Sequence, residues 1–143
     1  MSIWFAPPDL HELNRIHNGT AVSALGIEIT AAGEDSLSGT MPVDQRTLQP
    51  WGLLHGGASV LLAETLGSAA SMCCVDQTKS LCVGLEVNAN HVRGVRDGVV
   101  TGVARPIHLG RTSHVWGLEI RTADDRLVCI ARLTATVIPA PVR

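Results

Sequence analysis

The chain has 143 residues, of which 45% are hydrophobic and 17% charged, and its formal net charge is −2 at pH 7. This composition excludes a disordered chain, and the length suits one compact domain over residues 1–143. No long basic run is present and the aromatic residues are only three Trp and one Phe, so neither a charged face nor a stacking surface for nucleic acid is expected.

The first predicted element is a short helix that starts at a capping box, Asp9-Leu10-His11-Glu12. Apolar residues at helical spacing follow, and Asn18-Gly19 ends the run. Apolar residues then alternate over 25–29 and over 37–41, on either side of a turn at 33–35. This pattern predicts a β-hairpin that ends at Pro42, and residues 43–55 are expected to be irregular.

The stretch Gly56–Val75 is the longest apolar segment and carries one charge, Glu64. It is long enough to span a bilayer. However, a carboxylate near mid-membrane is costly, and strand patterns typical of a soluble sheet lie both before and after this stretch. We therefore expect a helix that is buried in a folded domain, since nearly every face is apolar.

After Lys79 the apolar period becomes two, which predicts four consecutive strands. The first strand is expected to place one set of residues on a common face: Leu81, Val83, Leu85, Val87 and Ala89. The second runs from Val99 to Pro106, and the third and fourth follow over 114–120 and 127–137. Short turns predict antiparallel pairing. The fold class is thus α+β, with about six antiparallel strands wrapped around one long buried helix, plus a short N-terminal helix.

Cysteine and histidine spacing predicts no metal site. Among the four cysteines there is no CxxC pair, and the six histidines lack ligand-like spacing. The cysteines are therefore interpreted as small buried side chains in a reducing compartment. The first eight residues lack the basic and apolar regions of a secretory signal, so a cytoplasmic protein is expected. No cofactor is expected.

Glu64 is the most informative single residue. A lone carboxylate on a buried helix is unfavourable unless it has a partner or a function. An arginine could pair with it in a purely structural role, and the candidates are Arg93, Arg105 and Arg132. Ser68 lies one helical turn after Glu64, so it shares that face and could orient the carboxylate or a water molecule.

The segment His55-Gly56-Gly57 begins the same helix. First-turn N–H groups have no intrahelical acceptor and carry the positive end of the helix dipole, so they could polarise a carbonyl. An ordinary glycine-containing helix start is the alternative. Gly56 and Glu64 are eight residues apart, which is about 12 Å along a helix. If both act on one group, they must come from two chains, and a symmetric dimer would hold two sites.

Several blocks together resemble the hotdog thioesterases. The main block runs from Gln49-Pro50-Trp51-Gly52 through His55-Gly56-Gly57 to Glu64 and Ser68. Three others are Met41-Pro42-Val43-Asp44, the stretch from Val83-Gly84-Leu85-Glu86 to His91, and His108-Leu109-Gly110-Arg111. The pattern is most similar to the subgroup that contains the bacterial aryl-CoA hydrolases of menaquinone synthesis and the enterobactin proofreading thioesterases. It covers residues 9–138.

The resemblance implies a hotdog fold, a dimer or dimer of dimers, and metal-free hydrolysis of acyl-CoA or acyl-carrier-protein thioesters, with aryl-CoA favoured. It implies that Glu64 is the nucleophile or general base, that the Gly56 N–H is the oxyanion donor, and that Ser68 places the water. Gln49 and His55 match polar groups near the thioester carbonyl. The implied substrate-binding residues are His91 and Trp51 at the acyl pocket, and Arg93, His108, Gly110 and Arg111 for CoA. Trp51 departs from the Phe that is usual in this subgroup.

Two alternatives stay open at this point. A hotdog hydratase or dehydratase would act on an enoyl or 3-hydroxyacyl thioester, and His91 together with Glu64 could serve that reaction. A non-catalytic acyl-CoA-binding protein could keep the same fold. The sequence does not identify the acyl group.

Overall fold

The computed structural model describes residues 1–141, so the predicted domain limit at residue 143 lies outside them. The helices are α1 (Leu10–Ile16), α2 (Ala21–Ala24) and α3 (Gly56–Cys73). The strands are β1 (Glu28–Ala32), β2 (Leu37–Pro42), β3 (Ser80–His91), β4 (Val99–Leu109), β5 (Ser113–Thr122) and β6 (Leu127–Pro139). These six strands form one antiparallel sheet in the order β1-β2-β4-β5-β6-β3. The predicted α+β arrangement is confirmed.

Only one half of the predicted capping box forms, because the Glu12 carboxylate accepts from Arg15 and not from the Asp9 N–H. The Asp9 carboxylate accepts a hydrogen bond from the Glu12 N–H at 3.1 Å, which satisfies one of the free donors of α1. The single turn α2 was not predicted from the sequence; Thr20 caps it, and its hydroxyl oxygen accepts from the Val22 N–H. Four residues carry too little periodicity to predict a helix.

The long helix α3 packs its leucines directly onto glycines of the sheet. Leu62 and Leu66 are fully buried, and burial of a leucine stabilises a fold by about 1.5–3 kcal/mol. A Cβ at Gly39 or at Gly102 would lie 2.9 Å from a methyl carbon of Leu66, so glycine at these two positions lets the helix approach the strands. No helix in the described part of the chain is long and apolar enough to cross a membrane.

A buried hydrogen bond explains one of the polar residues of α3. The Trp116 indole N–H on β5 donates to Ser71 Oγ at 2.7 Å, and both residues are inaccessible to solvent. A buried indole N–H normally requires an acceptor, and this serine supplies it. The bond fixes the C-terminal half of the helix against the sheet.

The prediction of a common face on β3 is wrong beyond Val83. The pairing register with β6 shifts between Gly84 and Glu86, so Leu85 lies in a β-bulge with 69% of its surface exposed. A bulge inserts one residue and reverses the alternation that follows it. Val87 and Ala89 therefore pack against the core, whereas Val83 and Leu85 are exposed.

Strand β4 also extends beyond the predicted end at Pro106. A register shift between Pro106 and His108 lets the strand continue to Leu109. Proline has no N–H to donate to the ladder, and a bulge is one of the few places where a strand accommodates it.

The two edges of the sheet differ. At the β1 edge, the Asn14 side chain donates to the Ile29 carbonyl at 2.9 Å and accepts from the Ile29 N–H at 2.8 Å. At the opposite edge, β3 pairs only with β6, and most of its residues are exposed. The edge of β3 thus presents unpaired backbone groups.

Candidate active site

Glu64 lies in the middle of α3 and lines a pocket of about 670 Å³. Glu64 is half-buried, so its side chain is more exposed to solvent than its position as the single charge on an apolar helix predicts. None of the ion pairs among residues 1–141 includes Glu64. Of its candidate partners, Arg93 instead bonds the Leu127 carbonyl and Arg105 pairs with Asp35. The structural-pair interpretation therefore finds no support in the described chain.

The pocket around Glu64 is mainly apolar. Ser68 lines it on the same helical face, as predicted. The N-terminal segment and α1 supply its other wall, which was not predicted from the sequence; the residues of this wall include Phe5, Pro7, Pro8, Leu13 and Ile16. The apolar run before the capping box was the available signal. A cavity of this size and character suits an apolar acyl group.

The N-terminus of α3 leaves one N–H group without an acceptor. The His55 Nδ1 atom accepts from the Gly57 N–H at 2.8 Å, and the His55 carbonyl accepts from the N–H groups of Ala58 and Ser59. The Gly56 N–H donates to no group within residues 1–141. This free donor sits at the positive end of the helix dipole, where it could bind a developing oxyanion.

Gln49 lies in the same region with its amide orientation fixed. Its side-chain oxygen accepts from the Trp51 N–H, and its backbone bonds Leu53 and Gly52. A backbone N–H can only donate, so the amide oxygen must face it and the NH₂ group is left to donate elsewhere. Gln49 and Gly56 line one cleft of about 360 Å³.

His91 and Arg93 complete this cleft at the end of β3. A Cβ at Gly56 would lie 2.8 Å from His91 Nε2, so the imidazole ring packs against the start of α3. The Arg93 Nε atom donates to the Leu127 carbonyl at 3.3 Å. The terminal nitrogens of Arg93 stay available for an anionic ligand.

The structure does not bring all predicted binding residues together in one chain. His91 pairs with Cys129, whereas Val83 pairs with Thr136, which in turn pairs with Ser113 at the start of β5. These two ends of β3 are eight residues, or roughly 26 Å, apart. His108 lies near the end of β4, and the turn that carries Gly110 and Arg111 follows it and precedes Ser113, so these three residues are remote from Arg93.

Trp51 also stands apart from the other predicted site residues. Its side chain is 79% exposed, and it is absent from the linings of both the Glu64 pocket and the Gly56 cleft. Its assignment to the acyl pocket finds no support in the isolated chain.

The predicted catalytic groups thus form two half-sites. One holds Glu64 and Ser68, and the other holds Gln49, His55 and Gly56 at the start of the helix. Both Gly56 and Glu64 lie within α3, so the helical rise separates them by about 12 Å. Within residues 1–141, no cluster of three His, Cys, Asp or Glu side chains could hold a metal ion.

Comparison with known proteins identifies the family. A family model described as the thioesterase superfamily matches residues 52–129. The 1,4-dihydroxy-2-naphthoyl-CoA hydrolase of Escherichia coli is 48% identical over 136 residues, which cover 95% of this chain and 99% of that protein. The proofreading thioesterase EntH of Cronobacter turicensis is 48% identical over 135 residues, which cover 94% and 98%.

Solved structures agree with this result. A mutant form of the thioesterase PA1618 from Pseudomonas aeruginosa superposes with a TM-score of 0.95 at 56% identity, covering 96% of this chain and 99% of that one. The thioesterase HI1161 of Haemophilus influenzae gives a TM-score of 0.94 at 50% identity, covering 99% and 98%. The resemblance and the hotdog fold are therefore confirmed. The names of the relatives are those of hydrolases, so they support hydrolysis over the two alternatives, a hydratase and a non-catalytic binding protein. The chain belongs to the thioesterase superfamily and is a thioester hydrolase.

Proposed function

We propose that this protein hydrolyses acyl-CoA thioesters, with a preference for aryl acyl groups, at a site that two chains build together. The observation that carries the proposal is the division of the catalytic groups into two half-sites on one helix. A nucleophile and an oxyanion donor must both come within about 3 Å of one reacting group. The Gly56 N–H of one chain would therefore act with Glu64 of the partner subunit.

The open edge of β3 supplies a route for joining the half-sites. If two β3 edges pair antiparallel about a twofold axis that crosses the strands midway between Gly84 and His91, His91 of one strand lies beside Gly84 of the other. His91 is next to Gly56, and Gly84 is next to Glu64. This pairing would bring together the two half-sites twice in each dimer.

The chemistry follows from the groups available. The thioester carbonyl accepts from the Gly56 N–H, and the free NH₂ group of Gln49 assists. His55 holds the neighbouring Gly57 N–H and so shapes the donor region. The partner's Glu64 either attacks the carbonyl carbon or removes a proton from water, and the partner's Ser68 orients that water. The thiolate of CoA then leaves and takes a proton. After attack by water the acyl group is released directly as the carboxylic acid; after attack by Glu64, water hydrolyses the mixed anhydride, which releases the acid and restores the Glu64 carboxylate.

Substrate placement uses residues of both half-sites. The acyl group enters the apolar pocket beside Glu64, and the name of the Escherichia coli relative supports an aryl group there. CoA phosphates bind Arg93 of one chain and, in the partner, the segment His108–Arg111 at the end of β4, since these groups lie at opposite ends of a single sheet. His91 lines the Gly56 cleft, whereas only the family resemblance supports a place for the exposed Trp51 at the acyl pocket. An acyl-carrier protein would present the same thioester arm.

The first test measures free-thiol release over a panel of aryl-, short-chain and long-chain acyl-CoAs. We expect rapid release from an aryl-CoA, which the variant Glu64→Gln abolishes while substrate binding stays near normal. Glu119→Gln is the matched control, because Glu119 is exposed and pairs only with Arg121 in the described chain. Unchanged turnover in Glu64→Gln would overturn the assignment of Glu64, and rapid release only from aliphatic acyl-CoAs would overturn the aryl preference.

A further inference from the structure

Gly84 lies directly against the Glu64 carboxylate. A Cβ built on Gly84 would collide with Glu64 Oε1, and the next nearest atoms would be the Glu64 carboxyl carbon at 3.5 Å and a Leu133 methyl at 3.8 Å. The absence of a side chain at this point of β3 thus creates the space that the carboxylate occupies.

The backbone does not require glycine at this position. Gly84 is not among the glycines with positive φ, so an L-residue could adopt its conformation. Its pairing with Ala135 on β6 is also regular, and the bulge begins only at Leu85. The reason for glycine is therefore the contact with Glu64 and not the geometry of a turn.

The bulge has a second effect on the same spot. It turns Leu85 outwards, and Val87 returns to the core face. Bulges beside active sites commonly re-aim side chains or clear space. Here the strand offers no apolar side chain to the carboxylate where the helix brings it closest.

We propose that Gly84 is a positioning residue for Glu64: the bare backbone of β3 holds open the place in which the carboxylate reaches the thioester carbonyl. The proposal rests on the proposed catalytic role of Glu64. Any side chain at position 84 would push the carboxylate away from β3. The proposed dimer joins the two chains along β3, so the carboxylate would also move away from the partner's Gly56. The atom displaced is the end of a flexible side chain, so the fold itself would tolerate the change.

The test replaces Gly84 with Ala and compares kcat, KM and the melting temperature with those of wild type. A displacement of reacting groups by about 1 Å costs on the order of 10²-fold in rate, so we expect kcat to fall by about that factor. KM and the melting temperature should stay close to wild type. Gly117→Ala is the matched control, because a Cβ there would meet the Ile107 side chain at 3.4 Å and the Arg105 carbonyl oxygen at 3.9 Å, both ordinary contacts, and no site residue.

A double-mutant cycle separates positioning from a general structural effect. The shorter side chain of Glu64→Asp would avoid a Cβ at position 84, so Gly84→Ala should cost much less in that background. Single-turnover measurements with excess enzyme keep slow variants measurable. An unchanged kcat in Gly84→Ala, or equal losses in both backgrounds, would overturn the role of Gly84. Full activity of Glu64→Gln would instead overturn the proposed function.

Discussion

Two inactive variants of this enzyme should restore each other's activity when they are combined. The first variant, Glu64→Gln, removes the carboxylate. The second, Gly56→Pro, removes the N–H that has no acceptor within the described chain. Because the two groups lie about 12 Å apart along α3, the proposed site takes one from each chain.

Proline suits this experiment because it deletes a single donor at a position where helices tolerate it. Gly56 is the first residue of α3, and His55 before it has φ −69° and ψ 130°, which suits a residue that precedes proline. Loss of one oxyanion donor lowers kcat by about 10²–10³-fold. Gly56→Ala is the control, since its Cβ meets His91 in the same way but its N–H remains.

The expected magnitude follows from symmetry. Co-expression of the two variants in equal amounts makes half of the dimers mixed, and each mixed dimer holds one intact site and one doubly altered site. Thiol release should therefore recover to about one quarter of the wild-type rate. Each variant that is co-expressed with a second copy of itself should stay inactive. A mixed sample no more active than these controls would refute the two-chain site, because sites within one chain always retain one lesion.

Two further predictions concern titrating groups. Burial lowers the pKa of His114, and the nearby His108 acts in the same direction. The unfolded chain therefore binds a proton at this histidine more tightly than the folded chain does. The free energy of unfolding should fall as the pH drops below about 6.5, the pKa of a free histidine. His114→Gln should weaken this fall in thermal melts between neutral and acidic pH, and an identical fall would contradict the assignment. Burial also raises the pKa of Cys74 to about 12 and that of Cys82 to about 11. Native protein should therefore react slowly with a disulfide reagent at pH 8, whereas rapid labelling before unfolding would contradict their burial.

The sequence was most informative where the physical signal is local. The single charge in an apolar stretch made Glu64 the candidate catalytic residue, and helical spacing placed Ser68 on the same face. The start of α3 was also predictable, since glycines after a capping residue mark a helix N-terminus. The division into two half-sites needed only the rise per residue of a helix.

The features that the sequence analysis missed depend on distant contacts. The bulge at Leu85 arises from the pairing of β3 with β6, and strict alternation of apolar residues concealed it. The contact between Gly84 and Glu64 joins a strand to a helix that precedes it by many residues. Likewise, Phe5 and Ile16 were ordinary apolar residues until the fold placed them across from Glu64.

The side chain of Asn14 bears on how many copies of this chain can join. It hydrogen-bonds both the N–H and the carbonyl of Ile29, and so occupies a pair of backbone groups near the middle of the β1 edge that an incoming strand would need. The proposed pairing through β3 consumes the other edge. A pair of chains joined in this way exposes Asn14-blocked edges at both ends, so the continuous sheet stops at twelve strands, twice the six of one chain, instead of growing into a fibril.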